Sequence, residues 1–512
     1  MIKSVLVLGA GSAGLMAALA LKRWIPQLKV QVVRDPAMAV IGVGESTTPN
    51  VPQFLFEYLR INPRHFYAVA NPTWKLGIHF LWGPRPCFEY GFMQQLDAQW
   101  SDLPMPHPFY CWDEWSYADM TSALMVRKKA FRRAPNGAPD IQRDHAFHIF
   151  NPDYVKALEM IGTEWGIEYI DGTMEAVERG PAGVAAIKLK DGRRMEADFF
   201  IDASGFRSEL LGKALGEPFV SFSPSLYCDR AVVGSWERTE EPILPYTTVE
   251  TMEAGWCWQI EHEKQINRGY VFSSSAMSDD EAQAEFMRKN PKARTWDHTV
   301  KFKSGRYRRG WVDNVVALGN SSGFVEPLEA TALMILCGNC QTLVTFLRGC
   351  RLEPTETIRD LYNNVFASGW DEIRNFLSIH YRFNTRIDNA FWRRCQNEVD
   401  ISGAQGLLDF YRENGPTGLC RHVLGHRGRE FGIHSAFGLE GYLVILTGCK
   451  VPYNRPYVPS EEERRIWKMH LAGIGEEAAR GLTAEESMKV IRHPGWRWNA
   501  ENQPAPAVPE IR

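Results

Sequence analysis

The amino-acid sequence predicts an α/β fold built on a parallel sheet, and three observations indicate it. Residues 4–8 form a short apolar run typical of a buried parallel strand, and residues 29–33 form a second one. Between them, the glycine-rich sequence at 9–14 opens a helical pattern. A third strand pattern, at 199–206, ends in Asp-Ala-Ser-Gly-Phe and predicts another segment that returns to the same sheet.

The turn at 9–14 has the sequence Gly-Ala-Gly-Ser-Ala-Gly. It follows a predicted strand and opens a predicted helix, which is the arrangement of a dinucleotide-binding turn. Gly9 permits the tight turn, Gly11 lets the backbone approach a pyrophosphate, and Gly14 lets helix and strand pack closely. The unpaired N–H groups of the first helical turn then face the phosphates. The second strand ends in Arg34, where NAD-binding sheets usually present a carboxylate, so NAD is disfavoured.

Composition excludes several classes of function. The 512 residues include 58 basic and 61 acidic side chains, and the formal net charge of −3 favours neither nucleic acid nor an anionic membrane as partner. The N-terminus enters a strand at once, with no signal-peptide pattern, and no apolar run of about 18 residues occurs. We expect a soluble, cytoplasmic protein whose ten scattered cysteines are reduced.

Two short patterns resemble redox or metal motifs but lack the required setting. Cys337 and Cys340 form a C-x-x-C inside a predicted helix, away from its exposed start, which favours buried packing over a redox pair. His145 and His148 have no cysteine or acidic partner at ligand spacing. The sequence therefore predicts chemistry without a metal.

Lys75 is a single lysine among apolar residues, in a segment predicted to pass from a turn into a strand over 72–80. The residues alone favour a lysine whose stem covers apolar surface while its ammonium reaches water. The preceding stretch at 41–49 is too rich in glycine and turn-forming residues for regular structure. Loops of this kind approach ligands closely.

Two regions are rich in aromatic residues. The stretch at 100–117 has no helix or strand period, and it either lines an aromatic substrate pocket or buries its own rings. Residues 221–302 are strand-rich, and Trp256 and Trp258 share one face of a predicted strand there. These two rings either fill a core, as the residues alone favour, or form one wall of a cavity.

The segment 311–347 predicts a strand at 314–318, a glycine-rich loop at 319–323 and a helix that begins at Pro327. Proline is favoured at the first helical position. Glu329 would then lie in the first turn, where a carboxylate interacts favourably with the helix dipole.

The same helix start is also a candidate anion site. The N–H groups near Ala330, Thr331 and Ala332 would be free to bind a small anion if that turn is buried. From about residue 348 the sequence is mainly helical, and the last dozen residues are expected to fray.

Taken together, these segments resemble the flavin-dependent halogenases, the family of the tryptophan halogenases. The matching segments, in order, are the glycine turn at 9–14, Gly42-Val-Gly-Glu45, Lys75 in a W-K-x-G setting, Gly255-Trp-x-Trp-x-Ile260 and Gly319-Asn-x-x-Gly-Phe-x-Glu-Pro-Leu-Glu329. They extend over about two-thirds of the chain. Many flavoproteins share the glycine turn, whereas the paired tryptophans combined with the lysine and the Pro-Leu-Glu are far more restrictive.

The resemblance implies a Rossmann-like FAD-binding box related to the single-component aromatic monooxygenases. This box would occupy residues 1–347 and include a substrate-side β-sheet over about 221–305. A mainly helical C-terminal part, 348–512, would complete the substrate site. The cofactor is then FAD, and the residues expected to bind it are Gly9, Gly11, Ser12, Ala13, Gly14, Arg34, Gly44, Glu45, Asp202, Gly319, Asn320 and Leu333.

The resemblance also implies a two-component reaction. FADH2 arrives from a separate flavin reductase and reacts with oxygen, and a halide ion, chloride or bromide, bound near Thr331 and Ala332 is converted to hypohalous acid. Lys75 either forms a haloamine or hydrogen-bonds the acid, and directs it at an aromatic carbon. Glu329 stabilises the cationic ring and takes its proton. Trp256 and Trp258 keep the substrate away from the flavin.

Three residues depart from the family pattern. Glu261 replaces the proline that usually ends W-x-W-x-I-P, Ala330 replaces the serine that commonly follows the catalytic glutamate, and Ala332 replaces a glycine. The methyl group of Ala332 is expected to change which halide fits, while its backbone N–H remains. The loops that bind free tryptophan are not recognisable, so the expected substrate is an indole or a phenol-like arene.

Two alternatives stay open at this point. An FAD-dependent aromatic monooxygenase shares the glycine segments and the Asp-Ala-Ser-Gly strand end, but it does not need Lys75 or the paired tryptophans. A protein that uses FAD only structurally or for interaction would keep its effect after loss of Lys75 and Glu329. The sequence also leaves open the native substrate, the preferred halide and whether the chain forms a homodimer.

Overall fold

The structure is a computed structural model of the 512-residue chain, and it describes residues 1–38, 44–92, 100, 102–104, 109, 115–141, 143–295, 299–416 and 437–498. Some predicted features lie outside the described residues: Gly42 of the second glycine segment, Tyr110 and Trp112 of the aromatic stretch, and the last dozen residues.

The strands are numbered in chain order. They are β1 Ser4–Leu8, β2 Lys29–Arg34, β3 Glu45–Ser46, β4 Thr73–Lys75, β5 Gly77–Leu81, β6 Phe88–Gly91, β7 Arg132–Arg133, β8 Pro139–Asp140, β9 Ala146–Ile149, β10 Glu168–Asp171, β11 Met174–Gly180, β12 Gly183–Leu189, β13 Arg194–Glu196, β14 Phe199–Asp202, β15 Phe219–Ser221, β16 Arg230–Glu237, β17 Thr247–Met252, β18 Gly255–Glu261, β19 Gln265–Phe272, β20 Arg294–Thr295, β21 Val300–Lys301, β22 Gly305–Tyr307, β23 Trp311–Val312, β24 Val315–Ala317 and β25 Gly323–Phe324.

The α-helices are numbered in the same way. They are α1 Ser12–Trp24, α2 Asn50–Pro52, α3 Pro63–Ala70, α4 Met120–Val126, α5 Asn151–Glu164, α6 Asp279–Lys289, α7 Thr331–Gly349, α8 Glu356–Phe383, α9 Ala390–Glu398, α10 Gln405–Asn414, α11 Gly438–Gly448, α12 Glu461–Ala479 and α13 Ala484–Ile491. Two π-helical segments, Gln53–Tyr58 and Glu209–Ala214, add further helical turns.

The first sheet has six strands in the order β10-β2-β1-β14-β24-β23. Five of them are parallel, and only the edge strand β23 runs antiparallel. Side chains alternate along β1, so Val5 and Val7 pack with the helical side and Leu6 and Leu8 pack with β12. The predicted α/β fold is confirmed, including the return of the 199–202 strand to this sheet.

The second large sheet has eight strands and contains β18. Its path is β20-β16-β19-β18-β17-β5-β6, with β21 paired to β16. Most of these strands come from the segment predicted to be strand-rich, while β5 and β6 join it from much earlier in the chain. The parallel pairing of β5 with β17 therefore places the chain around Lys75 beside this sheet.

A small three-stranded sheet, β3-β9-β4, links the glycine-rich loop to the lysine strand. Both outer strands run antiparallel to β9, where Glu45 lies opposite Ile149 and Lys75 lies opposite Ala146. β9 therefore holds the segment after Gly44 along one of its edges and the strand that ends in Lys75 along the other.

The described residues after α7 are mainly helical, as predicted, and α8 is the longest of their helices. Among the described residues, α7 is the one helix that is long and apolar enough to cross a membrane, with a mean hydropathy of 1.2, judged by length and composition alone. It packs between α1 and α8, and half of its most apolar window is buried. Cys337 and Cys340 are buried within it, and burial raises the pKa of both thiols, which fits a packing role.

Candidate active site

The glycine turn after β1 has the geometry that the sequence predicts. Gly9 has a φ of +114°, and a methyl group on it would lie 2.4 Å from the carbonyl oxygen of Ala203 on the neighbouring strand connection. A methyl group on Gly14 would lie 1.9 Å from the carbonyl oxygen of Gly9. A methyl group on Gly11 would meet no atom within 4 Å, so this residue borders open space.

The start of α1 fits the pyrophosphate of a flavin dinucleotide. Gly11 is the N-cap residue and provides no side-chain cap, so the first-turn N–H groups remain available in front of that open space. Ser12 and Ala13 are half-buried at this end of the helix. Gly319, with a φ of +66°, approaches so closely that a methyl group on it would lie 2.7 Å from Ala13 Cβ, and Asn320 follows it.

Two predicted FAD-binding side chains already have protein partners. Arg34 at the end of β2 contacts Asp171, and its guanidinium donates to Glu159 Oε1 at 3.2 Å. The buried Asp202 accepts hydrogen bonds from the N–H groups of Leu210 at 2.8 Å and Leu211 at 2.9 Å. Asp202 therefore holds its own loop, and a direct bond from Arg34 or Asp202 to the cofactor stays a prediction.

Gly44 and Glu45 lie where the glycine-rich loop meets β9. Gly44 has a φ of +73°, and a methyl group there would lie 2.3 Å from His262 Nε2, so the backbone needs glycine at this point. Glu45 accepts a 3.3 Å hydrogen bond from Asn151, and burial raises the pKa of its carboxyl group to about 7.

Lys75 ends strand β4 and has no solvent exposure. Its Nζ donates a 3.0 Å hydrogen bond to the carbonyl oxygen of Thr47 and lies 5.2 Å from the ring centroid of Phe92. Burial lowers the pKa of the amine to about 7, although the nearby charge of Glu329 acts in the opposite direction. The expectation from the residues alone, an ammonium that reaches water, is therefore wrong, because β4 lies inside the protein against β9.

Glu329 lies in a turn just before α7, whereas the sequence predicted it inside the first turn of the helix. The helix begins at Thr331, because the N–H of Ala330 donates to the carbonyl oxygen of Pro327 at 3.0 Å and Ala330 takes the left-handed conformation with a φ of +56°. This turn reverses the chain one residue before the helix. It leaves the carboxylate of Glu329 buried, with Oε1 2.6 Å from His380 Nε2.

Lys75 and Glu329, far apart in the sequence, are therefore close in space. The charge of Glu329 contributes to the pKa values of two groups on separate strands, Lys75 on β4 and Tyr90 on β6. Burial is the main cause of the raised pKa of Tyr90, and the carboxylate adds to it. The arrangement places an amine and a carboxylate in one buried environment with aromatic neighbours.

The start of α7 provides the features of a small-anion site. The N–H of Ala330 is already used by Pro327, which corrects the expectation that it is free. No described residue accepts from the N–H groups of Thr331 and Ala332, and the buried Thr331 Oγ1 also has no described partner. Leu333 is buried one residue further on. Two N–H groups and one hydroxyl therefore remain for a halide.

Trp256 and Trp258 lie on one face of β18, with ring centroids 6.1 Å apart, and both are buried in the main core. The indole N–H of Trp258 has no hydrogen-bond partner among the described residues, whereas that of Trp256 faces the carboxyl group of Glu326. Glu326 is fully buried beside the uncharged donors Tyr381, Trp256 and Cys228. Burial raises the pKa of Glu326 to about 7.

Glu261 is one of the departures from the family pattern, and its buried negative charge is balanced by a neighbouring arginine. Its carboxylate forms an ion pair with Arg238, and the two side chains are only 1% and 7% exposed. Gln259 donates a further 2.6 Å hydrogen bond to the same carboxylate. Burial raises the pKa of Glu261, while the charge of Arg238 lowers it. The buried pair explains how a carboxylate is accommodated where the family usually has proline.

The described part of the aromatic stretch packs against other parts of the protein. Trp100 stacks on His470 with centroids 4.3 Å apart, and it also contacts Trp467 in α12. Trp115 is buried between Phe88 and Phe109. These contacts favour rings that bury one another over rings that line a substrate pocket.

Sequence reasoning missed three residues that contact Lys75 or Glu329, namely Thr47, Phe92 and His380, and it also missed the buried Glu326 near Trp256. Glu326 belongs to a quoted motif and Thr47 to the glycine-rich stretch at 41–49, so their position next to predicted site residues was a usable signal. Phe92 and His380 carry no such signal, because only tertiary folding brings the residue after β6 and the end of α8 to the site.

Comparison with known proteins assigns the family. The chain matches the family model for tryptophan halogenase over residues 4–457. It is 30% identical over 457 residues to the tryptophan 6-halogenase ThaL of Streptomyces albogriseolus, which covers 82% of this chain and 83% of that protein. Among solved structures, MibH, a lanthipeptide tryptophan 5-halogenase, has a TM-score of 0.85 and 37% identity, covering 96% of this chain and 93% of MibH. BrvH, a flavin-dependent halogenase from Brevundimonas sp. BAL3, has a TM-score of 0.82 and 27% identity. This match covers 96% of this chain and 99% of BrvH.

These matches confirm the resemblance seen in the sequence and support a halogenase over the aromatic monooxygenase alternative. They also support the use of FAD and halide, because the family is flavin-dependent. The family match spans most of the chain, from the first strand to beyond α11. The chain therefore belongs to the tryptophan halogenase family of flavin-dependent enzymes.

Proposed function

We propose that this enzyme halogenates an indole ring with hypohalous acid that Lys75 directs, and that Glu329 takes the proton the ring loses. The observation that supports this most is the fully buried Lys75, whose pKa is lowered to about 7 while the charge of Glu329 acts on it. Burying an amine is costly and is found mainly where its chemistry is used.

Cofactor binding would depend on the two glycine segments. Reduced FAD, when bound, supplies with oxygen the two-electron oxidation that converts halide to hypohalous acid. We propose that the uncapped first turn of α1, reached past Gly11, holds the pyrophosphate. Gly319 and Asn320 would border the cofactor from the adjoining loop, which touches the start of α1.

The halide would bind at the start of α7. The free N–H groups of Thr331 and Ala332 and the unpartnered Thr331 hydroxyl are donors of the kind that bind a small anion. Trp256 and Trp258 would stand between flavin and substrate, as neighbouring buried rings on one face of β18.

Lys75 suits both roles considered for it. With a pKa of about 7, both the ammonium and the amine are populated near neutral pH. The ammonium can hydrogen-bond the oxygen of hypohalous acid and polarise the oxygen–halogen bond, and the amine can attack the halogen. The hydrogen bond to the Thr47 carbonyl orients Nζ in either form.

The substrate class is inferred from the relatives together with the site. ThaL acts on tryptophan, and MibH acts on tryptophan in a lanthipeptide, so an indole ring is what these relatives have in common. We infer that the substrate of this chain is an indole, either free or within a peptide. A carboxylate beside the ring suits it, because it stabilises the cationic intermediate.

We infer further that a separate flavin reductase supplies FADH2 and that the enzyme works in the cytoplasm. The division into an FAD-binding box, 1–347, and a helical C-terminal part, 348–512, fits the place where the chain turns from sheets to helices. Light scattering of the purified enzyme distinguishes a monomer from a homodimer.

The decisive experiment combines the enzyme with a flavin reductase, FAD, NADH and either chloride or bromide. Substrates are free tryptophan, simple indoles and a tryptophan-containing peptide, and mass spectrometry detects the halogen isotope pattern. We expect halogenated product, lost in Lys75→Ala and reduced about 10²-fold in Glu329→Gln.

The matched control is Lys301→Ala, which removes an exposed strand lysine and is expected to leave the rate unchanged. Hydroxylated product that forms without halide would contradict the proposal, as would an unchanged rate in Lys75→Ala.

A further inference from the structure

Glu329 forms a short hydrogen bond with a histidine to which no function has been assigned. His380 lies in the last turn of α8, and its side chain is fully buried. Its Nε2 is 2.6 Å from Glu329 Oε1, which is short even for a charge-assisted hydrogen bond. The pair joins α8 to the turn that carries the proposed base.

The other ring nitrogen determines where the protons are. Nδ1 of His380 is 2.9 Å from the backbone carbonyl oxygen of Phe376. A carbonyl oxygen only accepts hydrogen bonds, so Nδ1 carries a hydrogen. The short bond to Glu329 then contains one proton, held either by an imidazolium facing a carboxylate or by a carboxylic acid facing a neutral imidazole.

The surroundings favour the imidazolium form. A cation in the last turn of a helix is stabilised by the helix dipole, and His380 occupies that position in α8. Lys75 on β4 and Tyr90 on β6 are the other titratable groups on which the charge of Glu329 acts. The rings of Phe80 and Phe376 pack against the imidazole and keep its orientation.

Glu326, three residues earlier, shows what a buried carboxyl group does without such a partner. It is fully buried, its polar neighbours Tyr381, Trp256 and Cys228 are all uncharged donors, and burial raises its pKa to about 7. A carboxyl group in that condition is about half protonated at neutral pH, so only part of the enzyme would have it ready to accept a proton. Glu329 is comparably buried, and His380 is the feature that distinguishes it.

We propose that His380 is a positioning residue for the proton-transfer step: as an imidazolium it binds Oε1, keeps Glu329 ionised, and leaves Oε2 to take the proton from the halogenated ring carbon. Among the residues that the structure describes, none donates a hydrogen bond to Oε2. This inference rests on the proposed role of Glu329 as the base.

The reaction then balances. A carbon–halogen bond forms as the oxygen–halogen bond of hypohalous acid breaks, and the oxygen leaves as water with a proton from the Lys75 ammonium. The ring proton passes to Glu329 Oε2 and from there returns to the Lys75 amine. In this scheme His380 keeps both of its N–H protons, because its role is to hold the carboxylate in position and in its ionised form.

Three variants test the inference in the full-length enzyme loaded with FAD. His380→Phe keeps an aromatic ring but removes the hydrogen bond, and His380→Gln provides a neutral donor at the former Nε2 position. His470→Gln is the matched control, since His470 forms a histidine–carboxylate pair with Asp102, at 3.0 Å, away from the site. Retained flavin binding identifies the variants that fold.

Rates are measured with an indole that carries hydrogen or deuterium at the carbon that becomes halogenated. Wild type should show no isotope effect, because proton loss from a cationic ring is fast. We expect His380→Phe to lose about 10²-fold in rate and to show a normal primary isotope effect, since proton removal has become slow. His380→Gln should recover part of the rate, and His470→Gln should match wild type.

A pH profile gives a second readout. The His380→Phe change removes the proposed charged partner of the Glu329 carboxylate, so the ratio of the His380→Phe rate to the wild-type rate should rise with pH.

The inference is overturned if His380→Phe and His380→Gln keep the wild-type rate, or if both are equally slow with no isotope effect and a constant ratio. If wild type itself forms no halogenated indole, the proposed function has failed instead, and the two failures are thereby distinguished.

Discussion

Replacing Lys75 by methionine should abolish halogenation and, at the same time, stabilise the fold. The folded-state pKa of about 7 lies well below the ordinary lysine value of 10.5, so burying this amine opposes folding wherever the unfolded chain would bind its proton. The cost is fully present below the folded pKa and is relieved as the pH rises toward the unfolded pKa. At 1.36 kcal/mol per pKa unit, it is about 4 kcal/mol at pH 7 and about 2 kcal/mol at pH 9.

Methionine removes the free-energy cost of burying the amine, and it introduces a smaller cost of its own. Its unbranched side chain fits the space of the lysine stem, but the Thr47 carbonyl loses its hydrogen bond, which costs about 1–3 kcal/mol. We therefore expect Lys75→Met to raise the free energy of unfolding by about 1–3 kcal/mol at pH 7. The gain should shrink by about 2 kcal/mol between pH 7 and pH 9, because the wild type becomes more stable as Lys75 loses its proton.

The assay is equilibrium urea unfolding at saturating FAD, followed by tryptophan fluorescence at several pH values. Lys301→Met, at an exposed lysine, is the control, and its difference from wild type should not depend on pH. A Lys75→Met protein that is destabilised by the same amount at pH 7 and pH 9 would refute the reasoning.

Three further predictions concern other parts of the site. Arg238→Met should lower the free energy of unfolding by about 3–5 kcal/mol, measured in urea, because it leaves the buried carboxylate of Glu261 unpaired. Gly14→Ala should weaken FAD binding, measured by flavin fluorescence, because its methyl group would lie 1.9 Å from the Gly9 carbonyl oxygen; unchanged affinity would show that this contact relaxes freely. Ala332→Gly should change the ratio of brominated to chlorinated product in a mixed-halide competition, and an unchanged ratio would place the halide elsewhere.

Much of the structure around the glycine turn was predictable, because the sequence patterns that indicate it are local. The turn at 9–14 follows an apolar run and opens a helix, and this order alone determines that Gly9 and Gly14 lie in close contacts while Gly11 borders open space. The paired tryptophans were also predictable, since alternation along a strand places Trp256 and Trp258 on one face.

The chemistry around Lys75 was less predictable from local pattern. Whether a strand lysine reaches water depends on what covers the strand, and β9 covers β4 from a distant part of the chain. The start of α7 was wrongly placed at Pro327, because a turn closed by Ala330 competes with the helix there. No spacing in the sequence links His380 to Glu329, since their contact exists only when α8 has packed.

The groups proposed to act on the substrate are contributed at widely separated times during translation. Lys75 leaves the ribosome early, whereas the start of α7 and then His380 in α8 follow only after most of the chain has been made. A nascent or prematurely released fragment therefore contains the glycine turn at 9–14 but neither the proposed halide donors of α7 nor the proposed base with its histidine. The proposed halogenation therefore requires a chain that extends at least as far as His380.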